Sequence, residues 1–198
     1  VQQALRRHYG TTAELPAFLK YRSWIGSDRD GNPNVTADVT RWTFARQRRT
    51  TLEHYLDEID ELRDDLSIST RQLTVSDALR DSLEEDASEI DLPDDVERQY
   101  QREPYRLKLC YMEARLRGLL DEIDATDVEK MAGGYTADDL LDDLDLIAES
   151  LHDHGFVEAA RSGQLHRLRA LVKTFGFHLA ALDVRPHSGV HEDTVSAF

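Results

Sequence analysis

The sequence predicts a mostly helical chain with two or so short strands that belong to a parallel sheet or barrel. Long stretches carry apolar residues at steps of three and four, which is the period of an amphipathic helix. Two short runs alternate and are rich in aromatic and branched residues, which favours strands. Strands so far apart cannot form a core alone, so they either pair with each other beneath the helices or join strands outside this chain.

The first predicted strand covers residues 19–25, where aromatic and branched side chains alternate with polar ones. A turn-rich loop follows over residues 26–34, because glycine, asparagine and proline interrupt regular structure there. Thr36 is then the predicted N-cap of a long helix. The helix buries one face, and its residues are Leu52, Tyr55, Leu56, Ile59, Leu62 and Leu66. Trp24 and Trp42 are predicted to be core aromatics.

The middle of the chain continues as helices with short breaks between them. A short element begins at Ser76, a break follows over residues 91–95, and Pro104 opens the next long helix. Thr136 caps a further helix, for which Gly155 is a natural C′ residue. The apolar positions of the helix after Pro104 are Tyr105, Leu109, Met112, Leu116, Leu119 and Ile123, and those of the helix after Thr136 are Leu140, Leu141, Leu144, Ile147, Ala148 and Leu151.

The last predicted helix spans about residues 164–174 and is closed by Gly176. Residues 177–185 then read as the second strand, which Pro186 ends.

The whole chain, residues 1–198, begins in helical sequence without a methionine, so we expect it to be an internal fragment of a longer protein. It divides into a strand and loop over 19–34, a helical excursion over 36–175, and a strand and loop over 177–191.

The charge composition excludes some partners. The chain has 39 acidic against 24 basic residues and a net charge of -15, whereas a nucleic-acid site needs a basic face. No run of residues is long and apolar enough for a membrane helix, and the single Cys110 fits a reducing cytoplasm. The lysines are Lys20, Lys108, Lys130 and Lys173. Acidic excess with few lysines predicts a halophilic protein, although an ordinary acidic cytoplasmic protein is the alternative.

The loop at residues 26–34 carries Asp28, Arg29 and Asp30 among residues that allow tight turns. An arginine flanked by acids can present its planar fork to phosphate or carboxylate oxygens. A salt-bridged turn that caps a helix is an equal alternative. A calcium loop is disfavoured, because Pro33 stands where the loop needs glycine and Val39 where it needs glutamate.

Residues 23–36, which read SWIGSDRDGNPNVT, closely resemble a signature stretch of phosphoenolpyruvate carboxylases. Residues 182–191, which read LDVRPHSGVH, are similar to the later strand and loop of that family, of the form LDIRQxSxxH. The order and the wide separation of the two stretches also agree. Three positions depart from the family pattern: Arg22 is often small, Ser27 is frequently glycine and Pro186 is usually glutamine.

The resemblance implies a TIM-like α/β barrel with large helical insertions and active-site groups at the strand ends. It implies that phosphoenolpyruvate and bicarbonate give oxaloacetate and phosphate, an anaplerotic carbon fixation that supplies the tricarboxylic acid cycle. It further implies Mg²⁺ or Mn²⁺ and a cytoplasmic homotetramer. The metal ligands, the catalytic histidine and a glycine-rich arginine loop have no counterpart here, so the fragment alone should be inactive.

The same resemblance assigns site residues. Arg185 matches the family's strand-end arginine and becomes the first catalytic candidate, with Arg29 beside it. The residues expected to support the substrate loops are Asp28, Asp30, Gly31, Asn32, Asp183, His187 and His191. His152 and His154 are better explained as favourable charges at a helix C-terminus than as metal ligands.

A non-catalytic acidic helical scaffold or interaction domain is the alternative function. It accounts for the middle of the chain, where the loop at Asp28 would be a helix cap. It does not explain why two distant segments match one enzyme family in the correct order.

Overall fold

The computed structural model describes residues 2–10, 18–69, 74–124, 134–185 and 195–196, and helices dominate these ranges. The helices are α1 (Gln2–Tyr9), α2 (Ala37–Asp65), α3 (Asp77–Glu89), α4 (Asp94–Tyr100), α5 (Pro104–Asp124), α6 (Ala137–Asp153), α7 (Val157–Arg161) and α8 (Gly163–Phe175). The strands are β1 (Arg22–Ser23) and β2 (Ala181–Leu182). The predicted mostly helical chain with two short strands is confirmed. Among the described helices, none is long and apolar enough to cross a membrane.

The predicted caps fix where the helices start. The Thr36 hydroxyl accepts a hydrogen bond from the Val39 N–H at 3.3 Å and begins α2. Thr136 and Asp139 form a reciprocal capping box at α6, in which each side chain accepts from the other's backbone N–H. The pKa of the Asp139 carboxyl is lowered by these Thr136 hydrogen bonds. Gly155 follows α6 with a φ of 88°, as a C′ glycine should.

One hydrophobic core lies between the long helices. Helix α2 packs against α5 and α8, α6 packs against α7 and α8, and α3 lies against α5 and α6. The predicted apolar faces are confirmed, because Leu52, Ile59, Leu109, Leu144 and Leu151 are completely buried. Burial of such side chains contributes roughly 1.5–3 kcal/mol each, so these faces hold the helical body together.

The strands pair with each other in parallel, with Arg22 opposite Ala181 and Ser23 opposite Leu182. Their pairing brings together the segments that precede α2 and follow α8. Both strands are shorter than the predicted 19–25 and 177–185, because regular pairing stops where β1 turns away from β2 after Ser23.

The break expected over 91–95 is confirmed in part: residues 90–93 are coil, but α4 already begins at Asp94, with Pro93 as its N-cap. One further prediction is wrong. Trp24 and Trp42 are not core residues: they are 57% and 67% exposed. Trp24 directly follows β1 and Trp42 lies near the start of α2. Helix α7 was also not predicted.

Candidate functional site

The residues that directly follow β1 lie beside residues 183–185, which directly follow β2. The N–H groups of Ala181 and Asp183 donate to the carbonyls of Tyr21 and Ser23, both at 3.0 Å. A further parallel bridge pairs Asp28 with Arg185 beyond the strands. The described parts of the two segments singled out in the sequence therefore meet at the carboxyl ends of neighbouring parallel strands. In α/β folds this is where ligand-binding residues collect.

The Arg185 backbone is fixed from both sides. Its N–H donates to the Ser27 carbonyl at 3.2 Å, and its carbonyl accepts from the Arg29 N–H at 2.9 Å. Its guanidinium lies 5.2 Å from the centre of the Trp24 ring, in cation–π geometry. The nearest carboxylate oxygens are those of Asp28 at 4.0 Å and Asp30 at 3.7 Å. Because the side chain remains 49% exposed, part of its donor fork faces solvent.

Arg29 adjoins Arg185 through the backbone, but its side chain has different partners. Its Nη2 donates to the Thr40 hydroxyl at 3.2 Å, and that hydroxyl donates to the Gly26 carbonyl at 2.7 Å. Among the described residues, the buried Nε of Arg29 has no hydrogen-bond partner. Helix α2 therefore holds this arginine through its first turn, and the buried Nε–H is left without an acceptor among the described residues.

Tight turns shape the first loop. Gly26 has a φ of 75°, and a Cβ there would lie 1.9 Å from the Thr43 hydroxyl oxygen, so no larger residue fits. Gly31 also has a positive φ, of 71°. The Asp28 carboxylate accepts from the Asp30 N–H at 3.2 Å. The Asn32 side chain accepts from the Asn34 N–H at 3.1 Å.

Asp183 joins the two loops. Its carboxylate binds the Arg22 guanidinium at 2.6 Å, and its backbone carbonyl accepts from the Ser27 hydroxyl at 2.9 Å. Ser27 is completely buried, and Thr40 is nearly so. Neither residue was predicted to contribute, since a small hydroxyl residue gives no periodic signal. The only indication for Ser27 was its departure from the glycine frequent in the family that the loop resembles.

The remaining histidines have simple explanations or lie outside the description. His187 and His191 fall in residues 186–194, outside the described ranges. His154 caps α6, because its Nδ1 lies 2.7 Å from the Ser150 carbonyl. His152 contacts Arg161. Within the described part of the chain, no group of three or more histidine, cysteine or acidic side chains could hold a metal ion.

A second charged cluster lies inside the helical body. The Lys108 ammonium is 1% exposed and contacts Ser82, Asp86 and Asp143 at 2.7, 2.8 and 2.6 Å. Arg115 binds Asp86 at 2.6 Å, and Tyr135 donates to Asp143 at 2.5 Å. The pKa of the Tyr135 phenol is raised by burial and by the adjacent Asp143 charge. Every charge here has a close partner, so the cluster joins α3, α5 and α6.

Comparison with known proteins identifies relatives over the full chain. The family model described as phosphoenolpyruvate carboxylase matches residues 1–198. Phosphoenolpyruvate carboxylase of Rhodothermus marinus is 49% identical over 196 residues, which cover 99% of this chain and 21% of the relative. That of Azoarcus sp. (strain BH72) is 42% identical over 200 residues, covering 98% and 20%. That of Aromatoleum aromaticum is 44% identical over 188 residues, covering 92% and 20%. The chain thus spans about a fifth of the length of these relatives.

Proposed function

The chain belongs to the phosphoenolpyruvate carboxylase family, and we propose that it forms part of an enzyme that converts phosphoenolpyruvate and bicarbonate to oxaloacetate and phosphate. One observation carries the proposal beyond family membership: Arg185 of the second motif lies beside Asp28 of the first at adjacent strand ends, and its guanidinium is half-exposed. The reaction brings several anions together, so an arginine at that place would stabilise their negative charge.

Arg185 would bind the oxygens on which negative charge develops. In the proposed reaction the phosphoryl group passes from phosphoenolpyruvate to bicarbonate, giving carboxyphosphate and the enolate of pyruvate. The planar fork of an arginine binds two anionic oxygens at once. Trp24 supports one face of the guanidinium. Asp28 and Asp30 lie at 4.0 and 3.7 Å, close enough to orient it and too far to occupy all its donors.

Arg29 would have an orienting role. Its guanidinium is held by Thr40, and its backbone N–H binds the Arg185 carbonyl. It therefore links the first turn of α2 to the residue that we place at the reacting groups. Its buried Nε–H is a donor for which the described residues supply no acceptor.

The divalent metal implied by the family does not fit the described residues. Asp28 and Asp30 face the Arg185 guanidinium, and Asp183 is paired with Arg22, so none of the three is free for a cation. We propose that residues outside this chain bind Mg²⁺ or Mn²⁺, which would act as a Lewis acid. The catalytic histidine would also lie outside this chain. A homotetrameric, cytoplasmic enzyme stays a prediction from the family.

We further propose that β1 and β2 are neighbouring strands of a barrel whose other strands lie in the rest of the protein. Large apolar side chains are exposed around both strands, and they are Phe18, Leu19, Tyr21, Trp24, Ile25, Leu179 and Val184. Exposed apolar surface of this extent is typical of a face that another part of the protein covers. Two parallel strands alone would bury too little surface to be stable.

The test uses the complete polypeptide that contains this sequence. We expect oxaloacetate to form only when both phosphoenolpyruvate and bicarbonate are present. Arg185→Ala should lower kcat and kcat/KM by on the order of 10²-fold or more, and Arg185→Lys should restore little, because lysine lacks the fork. Arg29→Ala should be milder and act more on KM.

Circular dichroism would confirm that each variant is folded. A folded Arg185→Ala enzyme with near-normal kcat would show that this arginine is only an ion-pair partner. A folded, complete polypeptide without any carboxylation would favour the scaffold alternative.

A further inference from the structure

The pairing of the two strands contains a gap that one side chain fills. In a regular parallel ladder the Asp183 carbonyl would accept the N–H of Ile25, because the Asp183 N–H already binds the Ser23 carbonyl. The Ile25 N–H instead donates to the Ser23 hydroxyl at 3.1 Å, since β1 turns away after Ser23. The Asp183 carbonyl would therefore have no partner from the β1 backbone.

Ser27 supplies the missing donor. Its hydroxyl donates to the Asp183 carbonyl at 2.9 Å and lies 3.4 Å from the Ser23 carbonyl. The next bond of the ladder uses the backbone of the same residue, because the Ser27 carbonyl accepts from the Arg185 N–H. Ser27 thus holds the peptide groups on both sides of Val184, and it is completely buried while doing so.

We propose that Ser27 is a positioning residue for Arg185. Its hydroxyl replaces the missing hydrogen bond between the two segments. This bond fixes the position of the Arg185 backbone relative to Trp24, Asp28 and Asp30. Without the hydroxyl, the part-buried Asp183 carbonyl lacks this donor and the segment 183–185 can shift toward solvent. A shift of about 1 Å in a reacting group can cost on the order of 10²-fold in rate. The proposal rests on the function proposed above.

A serine that only stabilises the fold would behave differently from one that acts through Arg185. The stabilising contribution would change the melting temperature and leave kcat unchanged. Action through Arg185 would appear in kcat and would vanish once Arg185 no longer provides its fork. The two effects can therefore be separated by a double-mutant cycle between residues 27 and 185.

The experiment measures kcat, KM and melting temperature for Ser27→Ala in the complete polypeptide, with Arg185 intact and in the Arg185→Lys background. We expect kcat to fall roughly tenfold with Arg185 intact, with little change in KM, and to change less than about twofold in the Arg185→Lys background. Ser150→Ala is the matched control, because Ser150 is also completely buried and its hydroxyl bonds Tyr105 and the Ser76 N–H. It should lower the melting temperature without changing kcat.

Should Ser27→Ala not fold, Ser27→Cys takes its place in both backgrounds, because a thiol keeps the volume but is a weak donor. The expected result is then a smaller fall in kcat, again confined to the protein with Arg185. Normal kcat in the folded variant, or an equal fall in both backgrounds, would overturn the positioning role while leaving the proposed function standing. Absence of carboxylation in the unmodified polypeptide would instead overturn the proposed function and the inference with it.

Discussion

Arg115 in the helical body and Arg185 at the strand ends have similar neighbours. Each guanidinium lies 5.2 Å from the centre of an aromatic ring, Tyr135 or Trp24, and each is flanked by carboxylates. Arg115 binds Asp86 at 2.6 Å and Glu89 at 3.1 Å, and its side chain is 18% exposed. Arg185 has its carboxylates at 3.7 and 4.0 Å and is 49% exposed.

The difference separates a structural arginine from one that is available to a ligand. In the helical body the charged groups pair with one another within hydrogen-bonding distance, so these ion pairs connect the helices. At the strand ends the backbone is tightly bonded, while the guanidinium keeps open donors and the surrounding aromatic rings are exposed. A rigid backbone with unsatisfied side chains is the arrangement expected of a binding site.

The largest expected effect is a complete absence of activity in the isolated chain, because its strand ends form only part of an active site. The chain alone should form no oxaloacetate from phosphoenolpyruvate and bicarbonate with Mg²⁺, because the described residues offer no metal site and only part of the charged groups. A coupled assay for oxaloacetate tests this, with the complete polypeptide as the positive control. Product from the pure chain would show that the strand ends are sufficient.

The matched substitution in the helical body should have the opposite outcome from Arg185→Ala. We expect Arg115→Ala to lower the free energy of unfolding by about 2 kcal/mol, since Asp86 is buried and loses a donor. Turnover of the complete polypeptide should remain near normal. Denaturant unfolding and steady-state kinetics measure the two quantities. Loss of kcat without loss of stability would remove the distinction between the two arginines.

Salt should stabilise the chain as a whole. With a net charge of -15, repulsion between exposed acids opposes folding, and screening at a Debye length of about 3 Å in 1 M KCl relieves it. We expect the melting temperature to rise by more than about 2–4 °C between dilute and molar KCl. For a chain of this size, a rise of that extent corresponds to about 1 kcal/mol in the free energy of unfolding. A flat or falling melting temperature would contradict the halophilic interpretation.

Local chemistry made the helices predictable from the sequence. Thr36 and Thr136 begin helices because a threonine oxygen satisfies N–H groups that a first turn leaves unpaired, which depends on neighbours in sequence alone. The burial of Lys108 could also have been inferred, because it lies three residues after Tyr105 and four before Met112 on the same face. Its counter-charges come from other helices, and no local pattern indicates them.

The strand ends were less predictable because their structure depends on distant partners. The motif residues Arg29 and Arg185 were identified, and the structure brings their backbones together. Trp24 was placed in the core because hydrophobicity cannot tell which face of a strand another segment covers. Ser27 was missed for the same reason. Its hydroxyl donates to the Asp183 carbonyl only because β1 turns away from β2, which lies more than 150 residues later in the sequence.

The smallest expected effect tests whether close ion pairs stabilise the helical body while loose ones at the strand ends do not. Glu113 on α5 binds Arg63 of α2 and accepts from Arg117 at 2.7 Å. Burial opposes ionisation of its carboxyl, but the hydrogen bonds from Arg117 and Arg63 dominate and lower its pKa. The folded state therefore favours the charged form more than the unfolded state does.

For a carboxyl with a lowered folded pKa, the added stability is fully present above the ordinary glutamate pKa of about 4.3 and is lost as pH falls through the folded pKa. Glu113→Gln should thus lower the free energy of unfolding by about 1 kcal/mol at pH 7, and the difference from the unmodified chain should shrink toward pH 3. Asp28→Asn is the control, because the pair of Asp28 with Arg185 is long and partly exposed and should change stability little. Denaturant unfolding at several pH values measures both. A Glu113→Gln difference that stays constant with pH would mean that packing, rather than charge, joins α2 to α5, and an equal loss for Asp28→Asn would erase the contrast between the two regions.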